Sequence, residues 1–145
     1  IYIDADKMKI HKDTDKTVKV IAGKFEKAEG PVKGHNVEPV YFDVELKKDK
    51  EFFFQLPSTH NSFVYLINGE IVIGGKKHDN VKDSTLILLT IGEELKVKAK
   101  TDAKFLLISG KPINEEIARG GPFVMNTKAE ILQAVQDYHN DTFVK

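Results

Sequence analysis

The sequence predicts a mainly β domain that ends in one α-helix. Through most of the first 110 positions, short apolar or alternating runs are separated by turn residues, as is typical of antiparallel strands. After that the period changes, and apolar residues recur at helical spacing between 127 and 139. Many short strands with one late helix indicate a sandwich or a small barrel, and closure of a barrel would remove exposed strand edges.

Most of the strands alternate between apolar and polar residues, so one face of each would turn to a core. The clearest turn is Asn68-Gly69, because both residues tolerate a positive φ and two apolar runs flank them, which predicts a hairpin. Polar loops are expected at 23–34 and 76–83. The predicted strands are 18–22, 40–46, 51–56, 63–67, 70–74, 85–90, 95–100 and 105–109.

The end of the chain is predicted to be a loop at 111–126 and a helix at about 127–139. Thr127 and Glu130 are spaced as a capping box, and Asn140 is a suitable stop. The apolar stripe of this helix could bind a partner, but we favour packing on its own domain. We therefore interpret 1–145 as one domain with a strand-rich part at 1–110.

Composition excludes several classes of function. Lys plus Arg equals Asp plus Glu at 22 each, so no net field attracts nucleic acid or an anionic membrane. There is no cysteine, hence no disulfide, thiolate zinc site or cysteine nucleophile. No apolar run reaches the roughly 18 residues of a membrane span. We predict a cytoplasmic protein, and the first residue, Ile1, favours a piece cut from a longer chain.

Three long motifs resemble the C-terminal signature of pirins. They are 110–117 (GKPINEEI), 121–127 (GPFVMNT) and the continuation 130–138. The start at 18–23, followed by Gly30-Pro31, is similar to the start of the same pirin half, so the resemblance covers nearly the whole chain. Glu116 departs from the pattern, which has proline there. The resemblance implies a cupin-type, jelly-roll-like double-stranded antiparallel β-barrel.

The resemblance also implies a role. Pirins are bicupins whose amino-terminal barrel binds iron through three histidines and a glutamate. Some act there as quercetin 2,3-dioxygenases and others are transcriptional cofactors. This chain resembles the other half, without the amino-terminal domain. We therefore expect a structural and interaction role beside that domain, with no catalytic residue and no cofactor in this chain. The expected partners are the amino-terminal domain of the same protein or, through the orphaned interface, a second copy.

A cupin metal site needs two histidines two residues apart on one strand, then a glutamate and a third histidine. Alignment on Gly69 places the corresponding positions near Gln55, Pro57 and Asn61, which are poor iron ligands. His60 alone lies beside the expected barrel mouth, and a metal site there is the alternative to a solvent-exposed loop histidine, which we favour. The histidines are His11, His35, His60, His78 and His139, at least 18 residues apart.

Two further functions stay open. A small-molecule-binding module would use a pocket in the barrel interior, lined by Tyr41, Phe54, Tyr65 and Phe105. An enzyme would need the unorthodox metal site near His60. Other candidates favour structural explanations: Glu115-Glu116 are interpreted as solvated charges, and the serines lack a nucleophile-elbow context. These serines are Ser58, Ser62, Ser84 and Ser109.

Two patterns concern the outer faces of the predicted strands. The runs 52–54, 86–89 and 105–108 are apolar on both strand faces, so we expect the outer face to be covered by the helix or by a neighbouring domain. The alternating Lys96, Lys98 and Lys100 could touch phosphates. Solvation of a sheet face is the interpretation we favour, and we expect no direct contact with nucleic acid.

Overall fold

The structure, a computed structural model, describes residues 3–34, 36–74 and 79–144, with the backbone alone at Asp79. Strands dominate these residues, and one α-helix closes the chain, which confirms the predicted fold class. A 3-10 helix at Ala5–Lys7 precedes the strands. In chain order the other elements are β1 (Lys9–Lys12), β2 (Lys16–Ala22), β3 (Lys24–Phe25), β4 (Ala28–Glu29), β5 (Val40–Leu46), β6 (Glu51–Gln55), β7 (Asn61–Asn68), β8 (Glu70–Ile73), β9 (Asp79–Lys82), β10 (Thr85–Leu88), β11 (Glu94–Ala99), β12 (Ala103–Gly110), β13 (Ala118–Gly120), β14 (Phe123–Met125) and α1 (Lys128–His139).

The chain forms two compact units, Ile1–Pro112 and Ile113–Lys145. The first contains a six-stranded sheet in the order β1-β2-β5-β12-β7-β10 and a four-stranded sheet in the order β6-β11-β8-β9. Every pairing within these two sheets is antiparallel. Strands far apart in sequence are neighbours, as in β5-β12-β7, so the sheets form only when the whole unit folds.

The inner faces of the two sheets share one hydrophobic core. Burial alternates along β5 and β12, as expected for strands with one face toward a core. Phenylalanines from four different strands meet at its centre. Phe52 stacks on Phe25 and meets Phe105 edge to face, with ring centroids 5.5 Å apart in both pairs. Phe42 meets Phe54 at 4.9 Å. Such ring pairs add specific contact energy to the area they bury.

The predicted hairpin at Asn68-Gly69 is wrong in its pairing, although a turn is present. Gly69 has a φ of +93°, and a Cβ there would lie 2.4 Å from the carbonyl oxygen of Asp102. The turn therefore requires glycine. However, β7 belongs to the six-stranded sheet and β8 to the four-stranded sheet, so this turn carries the chain from one sheet to the other. Local sequence fixes the turn, whereas pairing depends on distant strands.

Short elements account for the other differences. The sequence predicted a loop at 111–126, but β13 and β14, each three residues long, pair there as a hairpin. Within the predicted loop 76–83, β9 pairs with β8, while 75–78 lie outside the described residues. The strands β1, β3 and β4 also escape prediction, because each has one apolar residue in its two to four positions and so shows no alternation.

The second unit contains the predicted helix. Thr127 Oγ1 accepts from the Glu130 N–H, and Glu130 Oε2 accepts from the Thr127 N–H, which confirms the capping box. Asn140 is the C-cap, as predicted. Helix α1 packs on the β13-β14 hairpin, where Phe123 lies 6.1 Å from Tyr138 between ring centroids. In the described part of the chain, no helix combines the length and apolarity needed to cross a membrane.

Candidate functional site

One polar cluster lies among the buried side chains of the first unit, at the end where β7 begins and β12 ends. His60 closes a turn in which its N–H donates to the Pro57 carbonyl at 3.0 Å. Ser62 follows on β7 and stands directly opposite Ser109 of β12. Because Phe105 and Leu107 face the core, the alternation of β12 turns Ser109 to the same side.

Hydrogen bonds join the three side chains. The Ser62 hydroxyl donates to Ser109 Oγ at 2.8 Å, and His60 Nδ1 lies 3.1 Å from the same Ser109 oxygen. His60 is only 6% exposed and Ser109 is 3% exposed. The expectation of a solvent-exposed loop histidine is therefore wrong. The turn at Pro57 folds the imidazole back toward the core, where Ser109 binds it. His60 Nε2 is buried and has no hydrogen-bond partner among the described residues.

The groups around His60 do not fit iron in the cupin manner. Gln55, Pro57 and Asn61 are exposed rather than directed at one interior point. One His60 nitrogen is engaged by Ser109, and the neighbouring donors are neutral hydroxyls rather than imidazoles or carboxylates. Within the ranges 3–34, 36–74 and 79–144, no three His, Cys, Asp or Glu side chains gather as a metal site would require.

The other histidines lie away from this cluster or outside the described residues. His11 Nε2 is 3.2 Å from Asp13 Oδ2 on the β1-β2 hairpin, and His139 ends α1 in the second unit. His35 and His78 fall outside the described residues. His60 is thus brought together with two serines and with none of the other described histidines.

The four aromatic residues predicted to line an interior pocket do not face one interior space: Tyr41, Tyr65 and Phe105 lie in the six-stranded sheet and Phe54 in the four-stranded sheet. Phe105 is fully buried, and Phe54 packs against the same core. Tyr41 and Tyr65 sit at alternate positions, next to the buried Phe42 and Val64, and point to the outer face. The four side chains therefore do not line one cavity. Strand alternation shows that two faces exist but does not show which strands share a face.

An open cavity of about 380 Å³ lies beside His60 instead. Val40, Pro39 and Pro57 give its wall an apolar character, and His60 is part of that wall. Its rim carries balanced charge, with two lysines and two glutamates. One pair is closed, because Lys33 Nζ donates to Glu29 and lowers the pKa of that carboxyl. The rim residues with charge are Lys24, Glu29, Lys33 and Glu38.

The opposite end of the unit carries a second cavity, of about 330 Å³, with a polar lining. Asp13 Oδ1 accepts from the backbone N–H groups of Asp15 and Lys16 at 2.7 and 2.8 Å. These bonds, the one from Asp15 first, hold the pKa of the Asp13 carboxyl far below its usual range. A hydrogen bond to Glu45 raises the pKa of Lys104, and Asp43 lies 3.5 Å from the same ammonium. Ion pairs explain this end without a ligand.

The outer surfaces of the two sheets differ in chemistry. We define the apolar face as the outward side chains of β7, β10 and the adjoining part of β12; on it Leu86 is 55% and Leu88 77% exposed. The charged face is the outward side of the four-stranded sheet, where Lys96 pairs with Glu51 at 3.0 Å. The apolar face consists of Phe63, Tyr65, Leu86, Leu88, Leu106 and Ile108, and the charged face of Glu51, Phe53, Val72, Asn80, Lys96 and Lys98.

In the second unit, Glu115 and Glu116 do not act as a pair. Asn126 Nδ2 donates to Glu115 Oε2 and to the Glu116 carbonyl, both at 2.9 Å, which ties the loop to the strand end before α1. Both glutamates are exposed. This arrangement is a structural tether.

Sequence reasoning missed Ser62 and Ser109 as members of the His60 cluster. The serines were judged by nucleophile motifs, and neither has one. A usable signal was present, because Ser109 continues the inward series of Phe105 and Leu107. A hydroxyl at an inward position of a core strand needs a hydrogen-bond partner, and that requirement points to a buried polar group nearby.

Most of the chain is similar in sequence to known proteins. Residues 41–144 match the family described as the pirin C-terminal cupin domain. A pirin-like protein of Caulobacter vibrioides is 35% identical over 133 residues, which make up 91% of this chain and 47% of the relative. Human pirin is 33% identical over 104 residues, or 70% of this chain and 36% of pirin.

A solved structure extends the match to the fold. The quercetin 2,3-dioxygenase of Acinetobacter baumannii superposes with a TM-score of 0.83 at 31% identity, over 97% of this chain and 49% of that one. This match confirms the cupin-type fold. The chain spans less than half the length of each of these three proteins. With most of its length matched by one family, the chain belongs to the pirins and represents their C-terminal cupin domain.

Proposed function

We propose that this chain is the non-catalytic half of a two-domain pirin-like protein and docks on an iron-binding amino-terminal cupin domain through the apolar face. Its role is to stabilise and orient that domain. Any dioxygenase-like or transcriptional activity of the parent protein then resides with the amino-terminal half. The observation that carries the proposal is the exposure of Leu86 and Leu88 on the outer side of the six-stranded sheet.

The apolar face has the composition of an interface. Leu86 stands opposite Tyr65, and Tyr65 opposite Leu106, so apolar side chains form a continuous row across three strands. When one face of an antiparallel sheet is in contact with water, the side chains on that face, which are every second residue of each strand, are normally polar. A contiguous apolar patch on a soluble domain marks a surface that another protein covers.

The same sheet carries charge along one side of this face. On its outer side β5 carries Asp43 and Glu45, and Lys104 of β12 lies 3.5 and 3.2 Å from their carboxylates. Leu106 is the next outward residue on β12 and faces Asp43 across the pair. An apolar centre with a polar rim is the usual anatomy of a protein interface.

The family context supports the amino-terminal domain as the occupant of the apolar face. The relatives are about twice as long as the segment they share with this chain. A domain of the same polypeptide is present at high effective concentration, so it occupies an apolar face ahead of a second copy. Self-association through the same face is the expected behaviour when that domain is removed.

The test is titration calorimetry of this chain against the purified amino-terminal domain of its parent polypeptide. Leu86→Lys with Leu88→Lys should weaken binding by roughly tenfold or more, because two charges then enter a dry interface. Phe53→Lys is the matched control, since Phe53 is 50% exposed on the charged face, and it should leave binding unchanged. Iron, measured by plasma mass spectrometry, should remain with the amino-terminal domain.

Two outcomes would contradict the proposal. One is equal affinity for the double-lysine variant and the unchanged chain. The other is stoichiometric iron in this chain alone, with the amino-terminal domain empty. Circular dichroism of both lysine variants separates a lost interface from a lost fold.

A second function, a small-molecule-binding module, is favoured by one specific observation: the cavity beside His60. It is compatible with docking, because its walls come from β3 and β4, from residues 32–34 and 38–40, and from the turn between β6 and β7 rather than from the apolar face.

A further inference from the structure

His60 leaves one buried nitrogen without a partner among the described residues. The side chain is more than nine-tenths buried, and Nε2 has no hydrogen bond there. Buried polar atoms in native proteins are nearly always satisfied, so an exception on a cavity wall indicates a missing partner. Nothing in the docking proposal accounts for this nitrogen.

The two serines determine what kind of partner it needs. The Ser62 hydroxyl donates to Ser109, so the Ser109 proton remains available for His60 Nδ1 at 3.1 Å. When Ser109 donates that proton, Nδ1 accepts it and a neutral imidazole carries its own proton on Nε2. In this tautomer the unpartnered atom is an N–H donor, and it requires an acceptor.

The cavity next to His60 provides the place for that acceptor. Since Nδ1 faces Ser109 inside the unit, Nε2 lies on the far side of the ring, and His60 forms part of the cavity wall. The volume of about 380 Å³ falls within the range of small-ligand sites. Val40, Pro39 and Pro57 offer apolar contact to a ligand body. Because Nε2 has no exposed surface, the ligand must shift a wall side chain to reach it.

We propose that this cavity binds a small, partly apolar molecule through a carbonyl or carboxylate oxygen that accepts a hydrogen bond from His60 Nε2–H. The charges on the rim balance, so the carbonyl-type acceptor rather than net charge determines binding. The site is independent of the apolar face, and each can fail without the other.

The experiment uses nuclear magnetic resonance on the whole chain. Long-range nitrogen–proton spectra of His60 should show the Nε2–H tautomer in the free protein. Benzamide and benzoate should each give saturable shifts at His60, Gly23 and Val40. Benzylamine, which keeps the ring but lacks the acceptor oxygen, should not. His60→Leu should weaken benzamide binding by roughly tenfold, and His139→Leu in the second unit should leave it unchanged.

The proposal is overturned by the Nδ1–H tautomer, by the absence of saturable shifts, or by equal binding of benzylamine. A structural water in place of a ligand would give the second of these results. If His60→Leu does not fold, Ser109→Ala serves instead, because it removes the hydroxyl that fixes the tautomer. Weaker benzamide binding in folded Ser109→Ala supports the site, and undiminished binding overturns it.

Discussion

The outer faces of the two sheets are made from the same strand architecture but differ in what they expose. On the charged face, Lys96 and Lys98 alternate with buried residues of β11, and Glu51 neutralises one of them. On the apolar face, Leu86 and Leu88 alternate with partly buried positions of β10 just as regularly, yet they are apolar. Both strands have one face on the core, so the core does not explain the difference.

The proposed docking explains this difference, because the two outer faces are then in contact with different surroundings. A sheet face in contact with water exposes lysine and glutamate, because charged side chains are well solvated and discourage edge pairing. A sheet that ends in another protein gains from leucine, at about 25 cal/mol for each Å² of apolar surface removed from water. In the proposed docking, Leu86 and Leu88 contribute little to the stability of the isolated chain and much to the complex.

The largest expected effect is the difference in the free energy of unfolding between substitutions on the inner and the outer side of β6. Phe52→Ala should lower the free energy of unfolding by about 3–5 kcal/mol, because Phe52 is fully buried between Phe25 and Phe105. Phe53→Ala, one residue along on the charged face, should cost less than about 1 kcal/mol. Urea unfolding followed by circular dichroism measures both.

Leu88→Ala extends this test to the apolar face. It should cost no more than Phe53→Ala in the isolated chain, since Leu88 is 77% exposed. A cost as large as that of Phe52→Ala would mean that the apolar face is already packed within this chain. The contrast between the two faces would then lose its basis.

The sequence predicted most of the fold because the long strands carry their own pattern. β5 alternates apolar and polar residues over seven positions, β12 contains an uninterrupted apolar run at 105–108, and the capping box of α1 is a local motif. Pairing was less accessible. The Asn68-Gly69 turn has hairpin chemistry, yet β7 pairs with β10 and β12 rather than with β8. Sheet membership depends on contacts between distant segments, which local residue types do not encode.

The candidate site was less predictable than the fold. His60 stood out only as a histidine near the expected barrel mouth, and its burial depends on a turn whose direction the sequence does not reveal. The predicted pocket residues were chosen for aromatic character. Phe105 faces the core and Tyr65 the outside because each follows the alternation of its own strand. The run 86–89, apolar on both strand faces, coincides with the exposed Leu86 and Leu88.

The helix of the second unit also exposes apolar side chains and buries little. Ala134 is its one buried residue, so local terms should matter more here than in the sheets. Thr127→Ala removes the acceptor of the Glu130 N–H and should destabilise α1 by about 1 kcal/mol. Hydrogen exchange of the α1 amides measures this. Thr127→Ser keeps the acceptor and should restore protection; unchanged exchange in Thr127→Ala would contradict a role for the cap.

The smallest effect concerns the turn between β1 and β2, at the edge of the six-stranded sheet, where the Asp13 carboxylate accepts two backbone hydrogen bonds. Because backbone N–H groups lower the pKa of Asp13, its carboxylate stabilises the fold above its unfolded pKa, near 3.8, and loses that contribution as the pH falls below it. Asp13→Asn should therefore be less stable at neutral pH, by under about 1 kcal/mol at this partly exposed site, and the gap should narrow in acid. Asp13→Ala also loses the acceptor for Asp15 and Lys16, so its deficit should persist in acid. Urea unfolding over this pH range measures both, and a constant gap for Asp13→Asn would show that geometry, not charge, holds the turn.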